Sequence, residues 1–442
     1  MSALQHVRPL SFLEKYYTTR HFLGMDACVV TSARYTTPEK TTLTKELLFP
    51  VLRILIETHA ALGVRLEGKE DTPHLAFVRL PAVDLSRVVV FSGKGDLQAA
   101  LEWHLSHGFE NTQGNLPLWR LEVLADNTVI LGAHHSILDG LSHTSFHNAL
   151  LQALQATSPS TTYSSSVVVP DQCLQPPLEM VTDVRPTVFN ILGAFYELLA
   201  PKSWQNSHSA WTGRPVPTTI VLHTHVRLLS FEKSVAARFA ATCRKHNATV
   251  TSTLYALAVS TIARLVANEP DAEQYKTVSV LVPLSQRPVV GVTADVFGNY
   301  ISSYHTFPAL DPVFSWTTAS RFAADLQAQK YTSQTALGVL RMAEKQYARI
   351  FKGTLGKKRR FGLALSNLGR FQTPSVEGGW SIEEVFFSPC DTLTGAALGI
   401  SVVGDPAGML DICFKWGAES LDTTFVEAFI ESYKDSVHGL AS

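Results

Sequence analysis

The stretch TVILGAHHSILDGLSHTSF, residues 128–146, constrains this chain more than any other. An apolar run of strand type leads into two adjacent histidines, and an aspartate and a glycine follow at once. Polar groups at the end of a buried strand cost free energy unless each finds a partner. Successive side chains on a strand point to opposite faces. Val129, Leu131, Ala133 and His135 therefore share one face, and Ile130, Gly132 and His134 the other. The two imidazoles cannot do the same work: one can look into a cavity while its neighbour packs behind. Asp139 and Gly140 stand where strand gives way to helix. A helix starting near Leu141 directs its free N–H groups at this loop.

The rest of the chain alternates strand and helix in two blocks. TTLTKELLFPVLRILIETHAALG has helical spacing, with Pro50 marking a kink or the true start. GVRLEG, HLAFVRL and RVVVFS read as strands, and WRLEVLADNTVILGAHH as two strands joined across Ala125–Asp126–Asn127. From about Ala156 a Ser-, Thr- and Pro-rich segment begins. It contains the apolar helix candidate VFNILGAFYELLAPKSW. This helix is expected to cover the join between two domains, with a membrane surface as the alternative. After Pro217 a second block of strands and helices runs to the end. The expected division is a domain over 1–180, a crossover over 181–216 and a second domain over 217–442. Mixed strands and helices in both halves point to two α/β sandwiches. A length of 442 residues suits two cores better than one.

Composition narrows the function. A net charge of −1 offers no field for nucleic acid. The five cysteines show no CxxC spacing, which argues against a zinc site or disulfide scaffold and fits a reducing compartment. The N-terminus lacks a signal-peptide core and no apolar run reaches the length of a membrane span, so a cytosolic protein is expected.

The loop has the parts of an acyl transfer. A neutral imidazole can take a proton from a hydroxyl at physiological pH, and N–H donors at a helix start can hold an oxyanion. There is no GxSxG elbow and no cysteine in a nucleophile context, so direct attack within a ternary complex fits better than a covalent route.

These residues carry a resemblance. HHSILDG resembles the HHxxxDG motif of the chloramphenicol acetyltransferase-like superfamily, with its peptide condensation domains, plant acyltransferases and fungal alcohol acetyltransferases. Further blocks fall in the family's order: RPLSFLEKYY, HAALGVRL, PLWRLEVL, VPLSQRP, FGNYISS and SNLG. LSFLEKYYTTRHFLG and FGNYISS are most similar to the fungal alcohol acetyltransferase branch; the DFGWG signature of the plant enzymes is absent. The resemblance implies two acetyltransferase-like α/β sandwich domains forming a pseudo-dimer, with an active-site tunnel between them. It implies that His135 is the general base, that His134 is structural, and that Asp139 points away from the tunnel to pair with Arg287. Gly140 would let the backbone turn tightly beside the acyl carbonyl. No bound cofactor is implied; acetyl-CoA or another acyl-CoA is a co-substrate.

Other candidates stay open between two roles. Asn299 and Ser302 of FGNYISS line the tunnel and serve the oxyanion, or hold strand ends. Ser366 and Asn367 of SNLG sit by the donor arm, or make a turn. Lys357, Lys358, Arg359 and Arg360 bind the phosphates of coenzyme A, or form a solvated loop. A metal held by His134, His135 and Asp139 is disfavoured by the alternation of faces. His143 and His147 have a zinc-compatible spacing but no intervening Glu in the HExxH sense, and a solvated face is expected. The leading expectation is a monomeric acyl-CoA-dependent O-acetyltransferase acting on a small-molecule hydroxyl. The alternatives are a condensation-type ester or amide synthase fed by an acyl-carrier protein, and a non-catalytic binding protein.

Overall fold

The computed structural model describes residues 6–69, 74–93, 95–157, 162–201, 204–373, 378–390 and 392–442. Its main strands are, in chain order, β1 (Val29–Thr36), β2 (Val89–Phe91), β3 (Trp119–Val123), β4 (Thr128–Ala133), β5 (Thr224–Phe231), β6 (Val280–Ser285), β7 (Ile301–Thr306), β8 (Leu363–Arg370), β9 (Ser381–Pro389), β10 (Leu398–Gly404) and β11 (Leu410–Gly417). The helices that matter below are α1 (Phe12–Phe22), α2 (Lys45–Thr58), α3 (Gly140–Ala156), α4 (Val188–Leu199), α5 (Val250–Val266) and α6 (Thr423–Ala441).

The strands build two principal sheets: a five-stranded one in the order β9-β1-β4-β3-β2 and a six-stranded one in the order β5-β11-β10-β8-β6-β7. In the first, β3 and β4 form the expected hairpin, with Asn127 in the left-handed region at φ 65°. Helices α2 and α3 lay Leu48, Leu52, Phe146 and Leu150 against Val29, Ala33 and Leu131 of this sheet. Pro50 lies inside α2 and not at its start. Around the second sheet, Leu254, Ile262, Phe429 and Tyr433 of α5 and α6 pack on Ile400, Ile412 and Phe414.

Between the two sheets lies a third apolar cluster. Cys28, Val30 and Ile130 from the first sheet meet Val226 and Cys413 from the second. Every residue of β4 is buried: α2 and α3 cover one face, and on the other Ile130 packs in this cluster with Leu101 and Leu105 of the helix Leu97–Ser106.

Strand pairing runs across the expected boundary at 217. Strand β9 lies in the second half of the chain, yet it pairs antiparallel with β1, from Ser381↔Thr36 to Pro389↔Val29. Its Val385 and Phe387 join the first core, where an edge of β1 would otherwise stand unpaired. The expected role of the apolar helix in the crossover is corrected. Helix α4 does not bury an apolar face against the domain join; Phe189, Leu192 and Phe195 are all exposed. Residues 158–161 and 202–203 of that segment lie outside the described residues. Among the described residues no single helix is long and apolar enough to cross a membrane.

Candidate active site

Strand β4 ends at Ala133, and the two histidines that follow turn to different surroundings. His134 is buried, and its Nδ1 accepts a hydrogen bond from the Ser136 N–H at 3.1 Å. Its ring leans on His21 at 4.6 Å. Burial, then the neighbouring His21 and His135 rings, push its pKa well below the ordinary imidazole range. It stays neutral. His135 is part-exposed. Its ring stacks on Tyr17 of α1, centroids 3.7 Å apart and planes 18° from parallel. Its main-chain carbonyl accepts from Asn299 Nδ2 at 2.8 Å.

Tyr17 escaped the sequence reading, although its block RPLSFLEKYY was noted. The signal was a capping box. Ser11 Oγ accepts from the Glu14 N–H, and Glu14 Oε2 accepts from the Ser11 N–H at 2.7 Å. Arg8 holds the same carboxylate through two nitrogens. That cap fixes where α1 starts, and so which face of it carries Tyr17.

Asp139 caps α3. Its Oδ1 accepts from the Ser142 N–H and Ser142 Oγ, each at 2.8 Å, and from Arg287 Nη2 at 2.8 Å. Its Oδ2 accepts from the Tyr300 N–H at 3.0 Å. Arg287 spends its other terminal nitrogen on the Val296 and Thr293 carbonyls. Both side chains are almost wholly buried, and the matched donors offset their desolvation. The carboxylate is fully engaged in architecture. Ser142, which both donates to Asp139 and receives from Arg287, is a further member that sequence reasoning missed.

Gly140 has a steric duty. A Cβ there would lie 2.7 Å from Leu368 Cδ2 and 2.9 Å from Phe387 Cζ. Only glycine lets the loop approach β8 and β9, and this contact brings SNLG to the histidine loop. Within SNLG, Asn367 is structural: its Nδ2 donates to Thr251 Oγ1 and its Oδ1 accepts from the Gly369 N–H. Ser366 is half-buried and pairs with Ser401 across to β10. Ser302 is likewise held in a buried network with Gln286 and Ser333, which corrects its candidacy for the oxyanion. Asn299 is different. Its Nδ2 braces His135, while its buried Oδ1 has no hydrogen-bond partner.

One cavity adjoins the loop, and a second adjoins the first. One of about 20 Å³ is walled by Ser136, Ile137, Asn299 and Tyr300, among others. An open pocket of about 390 Å³ lies beside it, with His59 stacked on Phe297 in its wall. They share Ala61, Leu174, Gln175 and Phe297. Neither has the His135 ring in its wall.

The basic run separates into parts. Arg359 is buried, its guanidinium donating to the carbonyls of Arg214, Thr392 and Leu393, so it is removed from the phosphate candidates. Lys358 Nζ donates to the Ser207 and His208 carbonyls. Lys357 and Arg360 remain exposed. His143 and His147 are buried and not on a solvated face, because α3 turns them toward β1. His147 meets Tyr35 Oη at 3.0 Å, while neither ring nitrogen of His143 has a hydrogen-bond partner. Burial holds both imidazoles neutral, His147 at about 4. Among the described residues no group of three or more ligating side chains could hold a metal ion.

Comparison with known proteins settles the family. The alcohol acetyltransferase family model matches residues 105–435. The chain belongs to that family. It is 25% identical to a probable alcohol acetyltransferase, crmB, of Aspergillus fumigatus, over 91% of this chain and 93% of that one. Its fold is similar to that of TRI3, the trichothecene 15-O-acetyltransferase of Fusarium sporotrichioides (TM-score 0.71, 11% identity, 98% of this chain and 94% of that one). It also resembles the starter condensation domain of rhizomide synthetase RzmA, a mutant of which was solved in complex with C8-CoA (TM-score 0.63, 14% identity, 98% and 94%). The protein has the mixed α/β fold of condensation domains and acetyltransferases, across its whole length.

Proposed function

We propose that this acetyltransferase carries an acetyl group from acetyl-CoA to the hydroxyl of a small alcohol, with His135 as the general base. The observation that carries the reading is the division of labour in one loop. Asp139 is consumed by Arg287, Ser142 and Tyr300, while the neighbouring His135 is part-exposed, its ring stacked on Tyr17 and its backbone braced by Asn299.

In this mechanism the acceptor O–H gives its proton to His135 as its oxygen attacks the thioester carbonyl. The tetrahedral oxyanion then collapses, the C–S bond breaks, and the imidazolium returns the proton to the departing thiolate. Stacking on Tyr17 limits the swing of the ring, so part of the orientational cost is met before substrate arrives. Donor and acceptor would reach the ring by separate mouths of a passage between the two halves. Replacing His135 with Ala should lower kcat by roughly 10²–10⁴-fold with folding intact, read as ester and free CoA by mass detection. Wild-type turnover in that variant would end the proposal. A second reading, an acyl-carrier protein as donor, rests on the resemblance of the histidine motif to condensation domains; offering acetyl-CoA and acetyl-carrier protein side by side separates the two.

A further inference from the structure

Helix α4 inverts the usual rule for a surface helix. Its sequence, VFNILGAFYELL, holds a single charge, Glu197. Val188, Leu192, Phe195 and Leu199 recur at helical spacing along its outward side, with Phe189 and Tyr196 beside them, and all six are exposed. Phe189 is 84% exposed and Leu199 74%. The half-buried positions, Asn190, Ile191 and Ala194, occupy the opposite side. Trp204 and Met180, which follow and precede it in the chain, are exposed as well, at 70% and 75%. The helix is firmly formed all the same: Thr187 and Asn190 make a capping box.

A second observation lies at its C-terminal end. The turn after α4 folds back on it, with Tyr196 Oη donating to the Trp204 carbonyl and Gln205 Nε2 to the Glu197 and Ala200 carbonyls. Lys358 then binds the Ser207 and His208 carbonyls of this turn. The link ties the basic run, with its exposed Lys357 and Arg360, to the turn that follows α4. An uncharged outward face with tryptophan and tyrosine near its end, tied through Lys358 to a run of cations, complements the acyl boundary and the phosphate layer of an anionic bilayer. Twelve residues span about 18 Å, well short of the roughly 30 Å hydrocarbon core, so the helix can lie in the surface and not cross it.

We propose that α4, with Trp204, Lys357 and Arg360, is a docking surface for an anionic phospholipid bilayer. The full chain should float with phosphatidylcholine vesicles containing about 30% phosphatidylserine, and about tenfold less with phosphatidylcholine alone. The combined Phe189→Ser, Leu192→Ser and Phe195→Ser variant should lose flotation on both. The single Phe189→Ser variant should show a partial loss and serves if the triple variant fails to fold. Lys357→Ser with Arg360→Ser should abolish the preference for phosphatidylserine, as should high salt. Wild-type protein left at the bottom of the gradient would overturn the proposal, as would undiminished flotation of the apolar variants. A dimer in analytical ultracentrifugation that the triple substitution dissolves, without lipid binding, would overturn it in favour of a second copy. A raised KM for acetyl-CoA in the charge variant, with flotation unchanged, would return those cations to the donor.

Discussion

Asp139 with Arg287 and the helix α4 are opposites. The first is a pair of charges sunk in the interior; the second is an apolar helix set in water. Around Asp139 both carboxylate oxygens are answered by named donors, so burial costs little and the loop is held in one shape. Around α4 nothing in the described chain covers the outward side chains. A folded chain leaves a group in the wrong medium only where something else supplies the right one: the partner is internal in one case and, by the proposal above, external in the other.

The largest effect should come from breaking the internal pair. Arg287→Ala leaves the Asp139 charge buried, and a loss of about 3–5 kcal/mol is expected in denaturant unfolding. Asp139→Ala combined with Arg287→Ala should cost clearly less than the two single losses summed; additive costs would break the claim of a matched pair.

A second interior carboxylate sharpens the contrast. Where Asp139 faces a guanidinium, Asp411 faces Asp405 and Glu384, and burial first, then those neighbours, push its pKa up to about 7. Its folded-state value exceeds the ordinary 3.8, so the folded protein binds the extra proton between the two. The contribution of this carboxyl to stability should therefore be fully present below about pH 4 and be lost as pH rises through 7, an amount on the order of a few kcal/mol. Asp411→Asn should flatten that slope in melting curves taken across the range. A slope unchanged by the substitution would show that this carboxylate is matched after all.

Gly140→Ala is expected to cost about 1–3 kcal/mol, because the new methyl meets Leu368 and Phe387. Activity should fall with it, since those side chains come from β8 and β9 and hold the two halves at the loop. The smallest effect belongs to α4. Its serine substitutions should move the melting temperature of the lipid-free protein by less than the equivalent of about 0.5 kcal/mol, as exposed side chains do. A large drop would mean that α4 packs on the protein more than its exposure indicates.

The loop was legible because its pattern is local. The apolar strand, the hairpin at Asn127 and the glycine beside Asp139 each follow from spacing and residue type within a few positions. The link from Asp139 to Arg287 spans 148 residues, and only the family resemblance anticipated it. Tyr17 was not anticipated, because stacking on His135 leaves no periodic trace. The four basic residues in a row read alike in one dimension; the backbone turned Arg359 inward to satisfy carbonyls and left Lys357 and Arg360 outside. The crossing of β9 to the first sheet was hidden for a similar reason, since an apolar strand does not name its neighbour.

By itself the sequence determined which segments are strand or helix, where the polar loop falls between them, and that this loop carries imidazoles without a covalent nucleophile. Those properties rest on side-chain periodicity and on local hydrogen bonding. The tertiary structure alone decided which histidine is buried and which is part-exposed, which sheet takes β9, and which cations point outward. Each of those depends on contacts between residues far apart in the chain, and such contacts are chosen by packing of the whole.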